Sequence, residues 1–82
     1  MIVLDGKKMT DRAKAHAELK EKLDLLDHYG GNLDALNDCL GELRDRPLVV
    51  IEDAGEFLEG CEAYGARLLR VFHDNGIQVL LD

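Results

Sequence analysis

Three features are scarce in this chain of 82 residues, namely long apolar runs, cysteines and cations. No apolar run approaches the roughly 20 residues that a membrane-spanning helix needs. No charged region followed by a long apolar one opens the chain, so we expect neither a membrane protein nor a secreted one. The two cysteines, without an export signal, are typical of reduced thiols. The sequence therefore predicts a cytoplasmic location.

The shortage of cations restricts the possible partners. Ten lysines and arginines stand against seventeen aspartates and glutamates, for a net charge of −7. This balance repels nucleic acids and anionic membranes and favours a basic protein as partner. At this length we expect a single domain, residues 1–82, with a modest core and little room for the deep cleft of an enzyme.

Motifs of catalysis and of metal binding are also missing. The chain has no glycine-rich phosphate loop, nucleophile elbow or CxxC pair, and its histidines and cysteines lack the paired spacing of a zinc site. We therefore expect no enzyme, no cofactor and no metal centre. One alternative stays open, because Asp34 and Asp38 lie one helical turn apart. Such a pair could share acid–base work or hold a hard cation in a metal-assisted hydrolase.

Three apolar segments predict three β-strands. They are Ile2–Leu4, Leu48–Ile51 and Ile77–Leu81, and the first two are continuous runs, which are typical of parallel strands that are covered on both faces. Apolar residues at helical spacing fill the segments between them. The order of strands and helices predicts an α/β fold in which three to four helices cover both faces of a three-stranded parallel sheet.

The helices are predicted from apolar spacing and from residues that start or stop a helix. The first should extend over about Asp11–Leu26 with Thr10 as its N-cap, and with His16 and Glu18 on its outer surface. After the second strand, a helical turn should stop at Gly60. A longer helix should then reach about residue 74 before the last strand.

The segment Tyr29–Leu43 organises the chain. Gly30 and Gly31 indicate a turn, and Asn32 is placed to cap the helix that follows. The buried stripe of this helix consists of apolar residues at helical spacing, namely Leu33, Leu36, Cys39, Leu40 and Leu43.

The other side of this central helix is entirely acidic. Asp34, Asp38 and Glu42 follow one another at intervals of four residues, with no lysine or arginine among them. Like charges at this spacing cost about 0.2–0.5 kcal/mol per pair, and Glu42 lies near the helix end that disfavours a carboxylate. The side is therefore either ordinary solvated surface or a surface that binds something cationic.

Residues of this segment resemble the core motif of the barstar family, the intracellular inhibitors of barnase-type ribonucleases. The motif residues are Tyr29, Gly30, Asn32–Leu36 and Asp38–Leu40, and a weaker likeness continues at Pro47–Val49, Gly65-Ala66 and Val71-Phe72. The resemblance implies one barstar-like α/β domain. It also implies a stoichiometric protein inhibitor that is not an enzyme and that is a monomer when free.

In that family the corresponding helix and the loop before it plug the active site of the ribonuclease, and their carboxylates stand in for RNA phosphates. The resemblance implies that Asp34 and Asp38 are acidic anchors and that Asp74 lies near a third acid. Glu42 is expected at the rim of the contact. The other expected partner-binding residues belong to the loop and the helix: His28, Tyr29, Gly30, Asn32, Asn37 and Leu43.

The chain departs from the family pattern at its aromatic positions. His28, Asn37 and Leu43 stand where the namesake of the family has aromatic side chains, and tryptophan is absent. Aromatic anchors usually dominate the energetics of an interface. The target is therefore open between a barnase-like ribonuclease and another basic nuclease toxin, for which this chain would be an immunity protein. An acidic adaptor for some other basic protein is a further alternative, and His28 is either a pH-sensitive contact or a plain loop residue.

Overall fold

Three short strands form a parallel sheet in which they lie side by side in their order along the chain. The computed structural model describes residues 1–82, with the strands β1 (Ile2–Asp5), β2 (Val49–Glu52) and β3 (Val79–Leu81). The helices are α1 (Arg12–Lys22), α2 (Leu33–Gly41), α3 (Ala54–Cys61) and α4 (Ala63–Asp74), and a 3-10 turn at Gly6–Lys8 follows β1. The predicted fold class, an α/β protein with a three-stranded parallel sheet and three to four helices, is confirmed.

The two faces of the sheet are unequally covered. Val49 and Ile51 of β2 are fully buried, whereas Val50 between them is only half-buried. On the side of Val50, its neighbour Val3 of β1 is also only half-buried, whereas Leu4, beside Ile51 on the other side, is fully buried. The prediction that helices cover both faces is wrong. The continuous run of β2 reflects the preference of β-branched side chains for a strand and does not require burial on two sides.

One hydrophobic core lies between the sheet and the helices, and α2 contributes two of its fully buried side chains, Leu36 and Leu40. The cluster comprises fifteen residues: Leu4, Met9, Ala15, Leu19, Leu36, Leu40, Val49, Ile51, Ala54, Phe57, Cys61, Tyr64, Leu68, Phe72 and Ile77. Burial of one side of α2 leaves its opposite side in solvent, so the core determines which residues this helix presents outward. None of the helices is long and apolar enough to cross a membrane.

The first helix is shorter than its apolar spacing predicts. Asp11, and not Thr10, is the N-cap of α1, since its side chain accepts a hydrogen bond from the backbone N–H of Lys14 at 2.8 Å. The helix ends at Lys22 because Asp24 adopts a left-handed backbone conformation with φ of 53°. As a consequence Leu26 leaves the apolar stripe and is 65% exposed.

Gly60 does not stop α3, which continues to Cys61 and breaks at Glu62, a residue with φ of 54°. Glycine at this position allows the backbone of α3 to lie close to the backbone of Thr10. A Cβ atom at position 60 would lie 2.3 Å from the carbonyl oxygen of Thr10, a distance that no ordinary contact allows. The absence of a side chain at Gly60 therefore lets α3 pack against the segment that leads into α1.

We expect Gly60→Ala and Gly55→Ala, two substitutions in the same helix, to change stability in opposite directions. Gly60→Ala should lower the free energy of unfolding by about 1–3 kcal/mol or more, because neither backbone can move aside freely. A Cβ atom at Gly55 meets nothing within 4 Å, so Gly55→Ala should raise the free energy of unfolding by up to about 1 kcal/mol. Urea unfolding of both variants checks this, and a neutral Gly60→Ala would contradict the close approach.

Candidate functional site

The start of α2 is held by the cap that the sequence predicts. The side-chain oxygen of Asn32 accepts a hydrogen bond from the backbone N–H of Ala35 at 2.8 Å. Gly31, just before it, has φ of 65°, a left-handed conformation that favours glycine. The loop of residues 28–32 is thereby turned into the helix at a defined angle, and the first turn of α2 directly follows it.

Asp34, Asp38 and Glu42 form a line of exposed carboxylates along α2, which we call the acidic face. None of the three takes part in an ion pair, since the four ion pairs of the protein involve other carboxylates. Residues four apart lie about 6 Å apart along a helix axis. The acidic face is therefore a row of negative charges that the protein itself does not neutralise.

The structure brings five of the predicted site residues together around one surface cavity of about 230 Å³. They are His28, Tyr29, Gly30, Asp38 and Glu42. The cavity wall is completed by residues that sequence reasoning missed, namely Leu26, Ala35 and Cys39. A lining that combines two carboxylates with apolar side chains suits the aliphatic stem and charged head of an arginine or lysine side chain.

Two more of the predicted residues, Asp34 and Asn32, lie in an adjoining depression, and the remaining three lie elsewhere. Asn37 accepts a hydrogen bond from the side-chain amide of Asn75 at 2.9 Å, which ties α2 to the end of α4. Leu43 and Asp74 are both engaged by other residues of the protein. Leu43 is half-buried and packs against the core, and Asp74 forms an ion pair with Arg70 at 3.1 Å.

A buried histidine anchors the loop. The prediction that His16 lies on the surface of α1 is wrong, because only 3% of this residue is exposed. Its Nδ1 is 2.6 Å from the hydroxyl of Tyr29 and its Nε2 is 2.7 Å from the hydroxyl of Tyr64. His16 thus connects the loop before α2 to α4. The signal that could have revealed it is its spacing from Leu19 and Leu23, three and seven residues on, along the buried side of α1.

Glu18 was predicted on the same outer surface and is also buried, with 3% exposure. Its carboxylate accepts a hydrogen bond from the backbone N–H of Asp5 at 2.8 Å and pairs with Lys22 at 3.1 Å. These contacts join α1 to the end of β1. A carboxylate can be buried here because both a backbone donor and a cation satisfy it.

The three rings of His16, Tyr29 and Tyr64 form a self-consistent hydrogen-bond network. Burial lowers the pKa of His16. In the neutral imidazole one nitrogen donates its N–H to one tyrosine oxygen, and the other nitrogen accepts the O–H of the second tyrosine. Burial raises the pKa of the Tyr29 hydroxyl, and the nearby Cys39 and Tyr64 raise it further. No buried side-chain nitrogen or oxygen lacks a hydrogen-bond partner.

Cys39 is unsuited to act as a nucleophile in this cavity. Burial raises the pKa of its thiol, and the carboxylates of Glu42 and Asp38 raise it further. The thiolate is the reactive form, and both burial and the neighbouring carboxylates favour the neutral thiol at Cys39. Both cysteines are free, and no group of three or more histidine, cysteine, aspartate or glutamate side chains is arranged to hold a metal ion.

We expect the buried imidazole to make stability depend on pH in a defined direction. Because His16 is harder to protonate in the folded chain, the unfolded chain takes up this proton first as the pH falls. The contribution is fully present above about pH 6.5, the ordinary pKa of histidine, and is lost as the pH falls toward the lowered pKa of the folded state. The free energy of unfolding should then fall by up to about 1.4 kcal/mol per pH unit.

The measurement is urea unfolding between about pH 8 and pH 5, compared between the wild type and His16→Gln. Glutamine removes the titrating group and keeps a side chain that can form hydrogen bonds, so the carboxylates contribute equally to both curves. The slope of the variant should be shallower in the range below about pH 6.5. Parallel curves would show that His16 titrates alike in the folded and unfolded chains.

The fold and the site define a class of protein: a small α/β domain that presents an unneutralised acidic helix face beside a capped loop. A model of the family described as Barstar (barnase inhibitor) matches residues 1–79. The chain therefore belongs to the barstar family, as its central segment predicted. This family is one of inhibitors and not of enzymes, and the prediction of a non-enzymatic protein is confirmed on that ground.

A relative in Bacillus subtilis (strain 168) carries the name "Putative ribonuclease inhibitor YrdF". It is 45% identical over 56 residues, which make up 68% of this chain and 62% of the relative. The matched region thus spans less than two thirds of the length of that protein.

Proposed function

We propose that this protein is a stoichiometric inhibitor of a small basic ribonuclease. The acidic face and the loop of residues 28–32 would enter the active site of the enzyme, and the carboxylates would occupy the positions of RNA phosphates. The observation that carries this proposal is the acidic face itself, with its three exposed carboxylates that no cation of the chain neutralises. In a member of the barstar family, this face is the surface that suits a basic cleft.

The carboxylates have different tasks in this proposal. Asp38 lies in the middle of the acidic face and lines the cavity together with Tyr29 and Gly30, so a partner that covers the cavity removes it from water. An arginine in the cleft can then bind Asp38 with two parallel hydrogen bonds. Glu42 follows at the end of α2 and acts from the rim, where charge mainly raises the rate of encounter.

The proposed interface depends on charge more than on aromatic anchors. Asn37, on α2, is engaged by Asn75, and Leu43 packs against the core. Neither provides the large exposed ring that usually dominates an interface. We therefore propose a target whose cleft is strongly basic, either a barnase-like ribonuclease or a related nuclease toxin. The two free thiols fit a reducing compartment such as the cytoplasm.

The test is a titration of ribonuclease activity. Tagged protein is used to capture basic nucleases from cells of the source organism, and each captured nuclease, with barnase in parallel, is assayed for RNA cleavage against increasing inhibitor. We expect cleavage by at least one of these enzymes to vanish at one equivalent. Captured proteins that lack nuclease activity, or nucleases that cleave RNA undisturbed in the presence of excess inhibitor, would overturn the proposal and favour an adaptor.

We expect Glu42→Ala to slow association with the target nuclease severalfold at low salt, with little change in dissociation. The reason is that an exposed charge attracts a basic cleft over about 30 Å at 0.01 M salt but over only about 3 Å at 1 M. Stopped-flow association at both salt concentrations measures the effect, which should disappear at the higher one. A faster dissociation that persists in high salt would place Glu42 inside the interface.

A further inference from the structure

Two arginines converge on one tyrosine ring beside the acidic face. The guanidinium carbon of Arg12 lies 4.4 Å from the centre of the Tyr64 ring, and that of Arg67 lies 5.9 Å from it. Arg12 is the first residue of α1 and Arg67 lies within α4. The two cations line a surface depression together with Asp34 and the first residues of α2. We call Arg12 and Arg67 the arginine pair.

The arginine pair has no partner of opposite charge within the protein. The ion pairs join Lys7 to Asp53, Lys14 to Asp11, Lys22 to Glu18 and Arg70 to Asp74. Neither Arg12 nor Arg67 belongs to them, and neither side chain donates a hydrogen bond to another residue. Asp34 lines the same depression without forming an ion pair with either arginine. The planar donor groups of both arginines are therefore available to a ligand.

Stability of the free protein explains only part of this arrangement, since the face of the Tyr64 ring attracts each guanidinium group. Arg12 occupies the first residue of α1, where the positive end of the helix dipole disfavours a cation. Two guanidinium groups that share one ring also repel each other, and none of the seventeen aspartates and glutamates of the chain forms an ion pair with either of them. An anion placed between the two arginines would remove both penalties.

We propose that the arginine pair receives an aspartate or glutamate carboxylate of the partner protein. This inference rests on the proposed function and adds that the basic cleft of the nuclease is flanked by an exposed acid. Arginine suits such a group because its donor fork matches a carboxylate in two parallel hydrogen bonds. A polyanion such as RNA is disfavoured, because a net charge of −7 and the neighbouring acidic face repel it.

The arrangement would determine the orientation of the complex. The acidic face requires cations opposite it, and the arginine pair requires an anion next to them. A partner that docks in reverse would bring like charges together at both places. Repulsion against the wrong orientation is a common source of specificity, and the arginine pair supplies it in a chain that is otherwise acidic.

The test is an NMR titration of the free protein, with tetraglutamate as the carboxylate probe and tetraglutamine as its neutral match. The side-chain Nε–Hε signals of Arg12, Arg67 and Arg44 are followed. Arg44 is an exposed arginine outside the depression and reports non-specific attraction. Tetraglutamate should shift the signals of the arginine pair saturably, at least three times as far as that of Arg44, and tetraglutamine should shift none of them.

Three results would overturn the inference: equal shifts at all three arginines, no shift at the arginine pair, or shifts with inorganic phosphate but not with tetraglutamate. Arg12→Gln and Arg67→Gln, both at exposed positions, should each reduce the shift of the remaining arginine by at least half. No nuclease is present in this titration. A failure of the proposed inhibitory function would therefore appear in the cleavage assay alone, and a failure of this inference would appear in the titration alone.

Discussion

Replacement of Asp38 by alanine should weaken the complex with the target ribonuclease by about a hundredfold or more, almost entirely through faster dissociation. Asp38 lies in the middle of the acidic face and lines the cavity formed with the loop. A partner that fills this cavity desolvates the carboxylate and its own cation together. Removal of one member of a buried ion pair costs about 3–5 kcal/mol, because the other charge stays buried without a partner.

The control for Asp38→Ala is Glu59→Ala. Glu59 is an exposed carboxylate on α3, so its replacement changes the net charge equally without touching the acidic face. Association and dissociation rates of both variants are measured by surface plasmon resonance at low and high salt. If Asp38→Ala loses affinity only through slower association, and this loss vanishes at high salt, Asp38 lies at the rim. Equal losses of affinity in both variants would show that only the net charge matters.

The central helix could be predicted because its signals are local. Gly31, Asn32 and the apolar spacing from Leu33 to Leu43 each act within a few residues of chain, and the capping bond from Ala35 to Asn32 is observed. The same spacing that buries Leu36 and Leu40 turns Asp34 and Asp38 outward. The exposed positions of Asp34 and Asp38 on α2 could therefore be predicted from helical periodicity alone.

The residues that were placed wrongly depend on partners far away in the chain. His16 is buried because Tyr29 and Tyr64, 13 and 48 residues further on, accept or donate its hydrogen bonds. Glu18 is buried because the backbone of Asp5 donates to it. A polar residue in a helix is predicted to lie on the surface unless such partners are known, since burial without them is costly. Gly60 was likewise predicted to stop a helix, because the backbone of Thr10, which requires a glycine there, is remote in sequence.

The fold shows what Asn37 and Leu43 contact at two positions where this chain departs from the family pattern. Asn37 is exposed but hydrogen-bonded to Asn75, and Leu43 packs against the core, so neither adds a free aromatic anchor. In the proposed complex the partner contacts the acidic face, the loop and the arginine pair, and charges of both signs carry the recognition. A protein of this kind should select its target by the pattern of charge around the cleft, and its binding should weaken steeply with added salt.

His16→Phe should lower the free energy of unfolding by about 2–4 kcal/mol. Phenylalanine fills the space of the imidazole but leaves the Tyr29 and Tyr64 hydroxyls without their partner, and an unsatisfied buried polar group costs about 1–3 kcal/mol. Most of the lost free energy of unfolding should come from the Tyr64 hydroxyl, because Tyr64 is only 8% exposed. Tyr29 is half-buried, and its hydroxyl can turn toward water. Urea unfolding at pH values above 7 measures the loss free of the titration of histidine.

The matched control is the triple variant in which His16, Tyr29 and Tyr64 are all phenylalanine. Replacement of every partner by an apolar group of similar shape is close to neutral, so this variant should recover most of the lost stability.

Binding of the nuclease by the triple variant shows whether the hydrogen bonds also position the loop. Residue 29 lines the cavity beside Asp38, and in the triple variant its phenylalanine ring has no bond to residue 16, so the ring and the loop are free to shift. We therefore expect the triple variant to come close to the wild type in stability but to dissociate from the nuclease faster. Wild-type dissociation in the triple variant would mean that packing alone holds the loop.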